Sequence, residues 1–157
     1  AARLSLRQAT LSLPVRLPAH GDEASFLPPE GASPWATETV RAARSERLVL
    51  RDETAGIVML SIVDDFGAVR DLDHGLVNGS AVHETWTIHP DDPLSAKVET
   101  HWTQTLSRNE WSVRTETSAT MLSDAFNFHL SARIEAFEGD RLVFARDFSE
   151  SVRRDQL

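Results

Sequence analysis

A chain of 157 residues is long enough for one well-buried core and short for two independent ones. With 41% hydrophobic and 25% charged residues it falls among chains that fold, and the absence of cysteine excludes disulfides, thiolate catalysis and thiolate-held metals. A formal net charge of −8, from Lys+Arg 16 against Asp+Glu 24, repels polyanions, so nucleic acid is not an expected partner.

No apolar run approaches the ~20 residues that span a bilayer, so no membrane partner is expected and the reading is a soluble protein; the lack of cysteine suits a reducing or an oxidising compartment alike, and a cytoplasmic location is the working expectation. The sequence starts Ala-Ala-Arg, with neither an initiator Met nor an apolar signal core, which suggests a processed product or a piece of a longer protein.

In chain order, residues 3–17 alternate, with Ala9, Leu11, Leu13, Val15 and Leu17 on one parity, and this predicts a strand with one buried face. Residues 18–39 are rich in Pro, Gly, Ala, Ser and acidic side chains and predict an extended linker, with Phe26, Leu27 and Trp35 as possible anchors. The periodicity of residues 37–47 is weakly helical, and no other segment has helical spacing. Residues 47–51 and 57–63 predict two strands joined by a turn at 52–56, and Asp64-Asp65-Phe66-Gly67 reads as the end of the second. That second run is apolar on both parities, as in a strand covered on both faces.

From Ala81 to Val152 four hairpins follow one another. Ala96, Val98, Thr100, Trp102 and Leu106 alternate with Lys97, Glu99, His101 and Thr103. Trp111, Val113, Thr115, Ala119 and Met121 alternate with Ser112, Arg114, Glu116 and Ser118. Phe126, Phe128, Leu130, Ala132, Ile134 and Ala136 oppose Asn127, His129, Ser131, Arg133 and Glu135, and Leu142, Phe144 and Phe148 close the series. The expected fold is all-β, an antiparallel meander with one apolar and one polar face, forming a curved sheet, half-barrel or sandwich. Trp86, Trp102 and Trp111 are expected to face the core.

No complete catalytic motif is present: there is no Gly-x-Ser-x-Gly elbow, no phosphate-cradling glycine loop and no His-Glu-x-x-His helix. Six histidines, His20, His74, His83, His89, His101 and His129, invite acid-base or metal readings. Pairing the hairpins through their turns sets His101 opposite Glu116, and His129 opposite Ser118 with Glu99 one strand further on. A His-Glu pair can act as a general base, yet an ordinary solvated sheet face has the same composition, and that reading is preferred. Asp64-Asp65 and Asp91-Asp92 supply only part of a calcium shell and suit turns for backbone-capping reasons. No catalytic, cofactor-binding or metal residue is assigned, and no cofactor.

Four stretches carry a resemblance: LSLRQATLSLPVR at 4–16, TIHPDDPLSA at 87–96, FHLSARIEAFEGDRLVFAR at 128–146 and SESVRRD at 149–155. Together they resemble the carboxy-terminal region of CocE/NonD hydrolases, serine hydrolases related to the X-Pro dipeptidyl peptidases. In that family a Ser-Asp-His triad lies upstream in an α/β-hydrolase domain, followed by a β jelly roll. The resemblance implies that residues 1–17 are the end of the jelly roll, 18–39 a linker and 40–157 an appended β-meander domain. It further implies a noncatalytic accessory domain with a packing or self-association role, whose partner is the parent chain's catalytic domain or a second copy. The alternatives are a free-standing, lipocalin-like small-molecule binder, suggested by the long alternating strands, and an enzyme that uses the polar-face histidines.

Overall fold

The computed structural model describes residues 10–16 and 25–155. The chain divides into two compact units, Ala1–Ser33 and Pro34–Leu157. In the first, residues 10–16 and 25–33 form neither helix nor strand. The strand expected over 3–17 is therefore absent from residues 10–16, and the remainder of that expectation lies outside the described residues. Alternation alone does not make a strand: the ladder needs a partner, and Leu11, Leu13 and Val15 stay exposed. Phe26, Leu27 and Trp35 are exposed as well.

The second unit is all-β. Its eight strands are β1 (Thr37–Arg41), β2 (Arg44–Asp52), β3 (Ile57–Asp71), β4 (Val77–His89), β5 (Asp92–Arg108), β6 (Trp111–Ser123), β7 (Asn127–Glu138) and β8 (Arg141–Arg153). They form one antiparallel sheet in the order β1-β3-β4-β5-β6-β7-β8, with β2 also paired to β3, and the sheet is open rather than closed into a barrel. Residues 37–47, whose spacing was weakly helical, are extended. Thr37, Thr39 and Val40 are β-branched, and Arg70 on β3 donates to Glu38 at 2.6 Å across the β1–β3 pair.

β3 does not end at Asp64-Asp65-Phe66-Gly67; it kinks there and runs on to Asp71. The register against β4 slips between Asp65 and Ala68, which marks a β-bulge. Asp65 builds it: its carboxylate accepts the Gly67 N–H at 2.9 Å and pairs with Arg41. Gly67 has φ +78°, and a Cβ there would lie 2.5 Å from the Arg41 carbonyl oxygen. The kink thus makes room for the corner between β1 and β2, so two short strands share one edge of β3. β3 is also only part-covered along 57–65, rather than buried on both faces.

The meander follows the expected parity but not the expected register. Asn109 adopts φ 54°, so β5 and β6 turn through Asn109 and Glu110 alone, and Arg108 pairs with Trp111. That places His101 opposite Ser118, and Thr103 opposite Glu116. The β6–β7 connection, expected as a tight turn at Ser123-Asp124, is longer, with Ser123 paired to Phe128, so Ser118 pairs with Arg133, and His129 with Leu122. Both slips are even-numbered, and each strand therefore keeps its apolar side on the same face.

Candidate functional site

Paired residues share a face, so the register spells out both sides of the sheet. On one side Val49, Leu60, Trp86, Val98, Met121 and Leu130 form a continuous row across six strands. Val82, Trp102 and Ile134 lie on the same face, as do Phe128 and Val152. On the other side the equivalent rows read Ser61, Thr85, Glu99, Thr120, Ser131, Ser149 and Val63, His83, His101, Ser118, Arg133, Asp147.

The apolar face is uncovered within the described unit. Trp86, Trp102 and Trp111 are 44%, 42% and 46% exposed, so the three tryptophans expected to face a core face an open surface instead. Among the described residues only Ala68, Val82 and Val98 are buried apolar side chains, and no large side chain is fully buried. Contiguous exposed apolar residues of this kind mark interaction surfaces or ligand grooves. Curvature of the sheet turns part of it into an apolar groove of about 320 Å3 bounded by Leu60, Trp86, Val98, Met121 and Phe128. Polar groups rim the face toward β2, where Arg47 donates to Asp64 at 2.6 Å and Ser45 donates to the same carboxylate at 2.6 Å. These contacts hold the Asp64 carboxyl below its ordinary range, the Arg47 bond contributing most.

On the polar face, His83 and His101 are direct cross-strand neighbours. Ser61 lies 3.2 Å from His83 Nε2, Ser118 Oγ 3.1 Å from His101 Nδ1, and Thr103 Oγ1 3.3 Å from His101 Nε2. Hydroxyls, not the expected Glu116, contact His101, and among the described residues no carboxylate pairs with it. His74 pairs with Asp71 in the β3–β4 turn, and the backbone N–H of His89 donates to Ser95 Oγ at 2.8 Å at the β4–β5 corner. His20 lies outside the described residues. Asp92 accepts the Leu94 N–H at 3.0 Å, a turn-capping contact. Among the described residues no three His, Cys, Asp or Glu side chains group as a metal site.

One constellation was not legible in the sequence. His129 Nε2 lies 2.8 Å from Asp124 Oδ2, and its Nδ1 lies 3.3 Å from Ser151 Oγ. Ser151 reaches His129 because a register shift at the start of the β7–β8 ladder sets the two opposite each other. The Asp124 carboxyl is drawn down to about 2, first by His129 and then by the N–H groups of Phe126 and Asn127, which it accepts at 2.6 and 2.7 Å. This is the order serine, imidazole, carboxylate. However, His129 and Asp124 are 42% and 51% exposed, and the two nearby N–H groups are spent on the turn rather than aimed at an oxyanion. Its evident work is to close the β6–β7 turn.

No family model, no curated protein and no solved structure matches this chain.

Proposed function

We propose that this chain is a noncatalytic accessory β domain of an ester- or amide-cleaving serine hydrolase of the CocE/NonD type, which packs its apolar face against another layer of that protein. The observation that carries the reading is the uncovered row Leu60, Trp86, Val98, Met121 and Leu130 with its neighbouring aromatics. A single sheet with one apolar face is half of a layered domain, and each 100 Å2 of that face covered by a second layer contributes about 2.5 kcal/mol. The kind of parent protein rests on the sequence resemblance, three of whose four stretches fall at the β4–β5 corner and along the β7–β8 hairpin.

The test has two arms. Sequencing the gene upstream of codon 1 is expected to find a reading frame with a serine-hydrolase triad. Adding the product of that frame to this chain is expected to shift the emission of Trp86, Trp102 and Trp111 to the blue as the face is covered. An upstream region without a hydrolase frame, or a frame whose product leaves the emission unchanged, overturns the reading.

A second reading, a small-molecule carrier, is favoured by one observation, the apolar groove of about 320 Å3. Saturable binding of a long-chain fatty acid at the Trp86 groove, abolished by Met121→Arg, would move the balance toward it.

A further inference from the structure

We propose that β8 is a self-association edge through which two copies of this chain pair antiparallel along residues 144–152, about a two-fold axis at Phe148. Among the described residues β8 pairs only with β7, so its outer edge presents unpaired N–H and C=O groups along a 13-residue strand. Such an edge is a template for another strand unless it is blunted. The blunting device here is local: the register against β7 shifts between Ala136 and Phe137, so that Phe137 pairs with Leu142 and Ala136 with Phe144. Val143 is the extra residue of that bulge, and from Phe144 onward the ladder is regular to Arg153.

The order of side chains selects one register. With the axis at Phe148, Phe144 faces Val152 of the second copy, Arg146 faces Glu150, and Phe148 faces its own counterpart. These residues lie on the apolar side, because their β7 partners are Ala136, Leu130, Ile134 and Ala132 together with Phe128 opposite Val152. On the polar side Asp147 faces Ser149, and Ala145 faces Ser151. Every charge on the paired stretch therefore meets an opposite or neutral partner, and the stretch fills the bulge-free segment without touching Val143. Moving the axis to Arg146, Asp147 or Glu150 sets a charged residue against itself, which is unfavourable for residues directly opposite. An axis at Ser149 sets Phe148 against Glu150 and Arg146 against Val152, losing both matches.

The side chains involved are available. Glu150 has neither an ion pair nor a side-chain hydrogen bond with the described residues, and Arg146 lies over its own neighbour Phe148 with its guanidinium carbon 4.6 Å from the ring centroid. An isologous pairing of this kind closes at two copies, whereas β8 adding to β2 of another copy would leave free edges and run on as a filament. The pairing extends the apolar face across both copies and is independent of what covers that face.

The experiment uses the full 157-residue chain and sedimentation equilibrium. A dimer is expected, with Glu150→Arg and Arg146→Glu each weakening it about tenfold through two symmetric like-charge contacts, and the double variant R146E/E150R restoring it. The chain has no cysteine, so Phe148→Cys introduces the sole thiol. Opposed directly at the axis, two such residues are within disulfide reach and are expected to cross-link on mild oxidation. Phe144→Cys, about 27 Å from its counterpart at 3.4 Å per residue, is not. A monomer, a filament, a dimer indifferent to both charge reversals, or cross-linking at 144 rather than 148 overturns the proposal.

Discussion

Phe66 and Trp102 stack with ring centroids 5.7 Å apart and planes inclined by 29°, although one belongs to β3 and the other to β5, strands separated by β4. The bulge at 65–68 makes this possible by turning Phe66 over the sheet, and Val82 on the intervening strand, paired with Trp102, is one of the few buried apolar residues. Stacked pairs contribute about 0.5–1.5 kcal/mol beyond the area they bury. A double-mutant cycle of Phe66→Ala and Trp102→Ala, read from urea midpoints, should return a coupling in that range. Because Trp102 remains 42% exposed, its single truncation is expected to cost about 2 kcal/mol, below the roughly 3–5 of a fully buried aromatic. Additive single effects would show that the stack contributes nothing.

The same bulge yields a sharper comparison between two glycines. Gly67 and Gly75 have φ +78° and +68°, so alanine at either carries the left-handed penalty of about 1–2 kcal/mol. At Gly75 the added Cβ meets nothing within 4 Å, whereas at Gly67 it meets the Arg41 carbonyl oxygen at 2.5 Å and the Ala43 nitrogen at 2.9 Å. Gly67→Ala should therefore destabilise by at least about 1 kcal/mol more than Gly75→Ala, since backbone rather than a flexible side chain must move. Equal midpoints in urea would mean that the β1–β2 corner does not rest on this residue.

Acid sensitivity follows from three carboxylates. Asp124 is drawn down to about 2 by His129 and two backbone N–H groups, Asp64 is lowered by Arg47 and Ser45, and Asp65 by the Gly67 N–H and Arg41. Folded-state values below the unfolded value of about 3.9 mean that their stabilisation is fully present above that pH and is lost as pH falls toward 2. Thermal midpoints between pH 6 and pH 2 should fall mainly below about pH 4. Asp124→Asn should flatten the lower part of that fall, because the amide oxygen still accepts the turn's N–H groups but no longer titrates. An unchanged slope in that variant would remove Asp124 from the account.

Parity survived where register did not, and the reason is physical. Trp102, Met121 and Leu130 were correctly placed on one face because alternation is written residue by residue, and even-numbered slips leave it intact. Partner identity depends on turn length, which Asn109 in the left-handed region and the Asp124-capped connection decide. The continuation of β3 beyond Gly67 was hidden because Asp-Asp-Phe-Gly has the residue types of a turn as well as of a bulge. The openness of the apolar face was not legible at all: a row of alternating apolar residues specifies a face to be buried and is silent about what buries it.

Asp124, His129 and Ser151 stand in the order of a hydrolytic triad, and the decisive question is whether that order is sufficient. Activation of a serine needs an imidazole poised to take its proton and donors aimed at the developing oxyanion, in a site that excludes water. Here the imidazole is 42% exposed, and the Ser151 contact is long at 3.3 Å. The two neighbouring N–H groups, of Phe126 and Asn127, already donate to Asp124. The chain is therefore expected to hydrolyse p-nitrophenyl acetate no faster than an equal concentration of free imidazole, and to leave X-Pro p-nitroanilides intact. Ser151→Ala should leave the ester rate unchanged, while His129→Ala should lower thermal stability by weakening the β6–β7 turn. A stoichiometric acyl-enzyme burst that disappears in Ser151→Ala would show that the constellation is a working nucleophile, and that the polar face rather than the apolar one carries the activity.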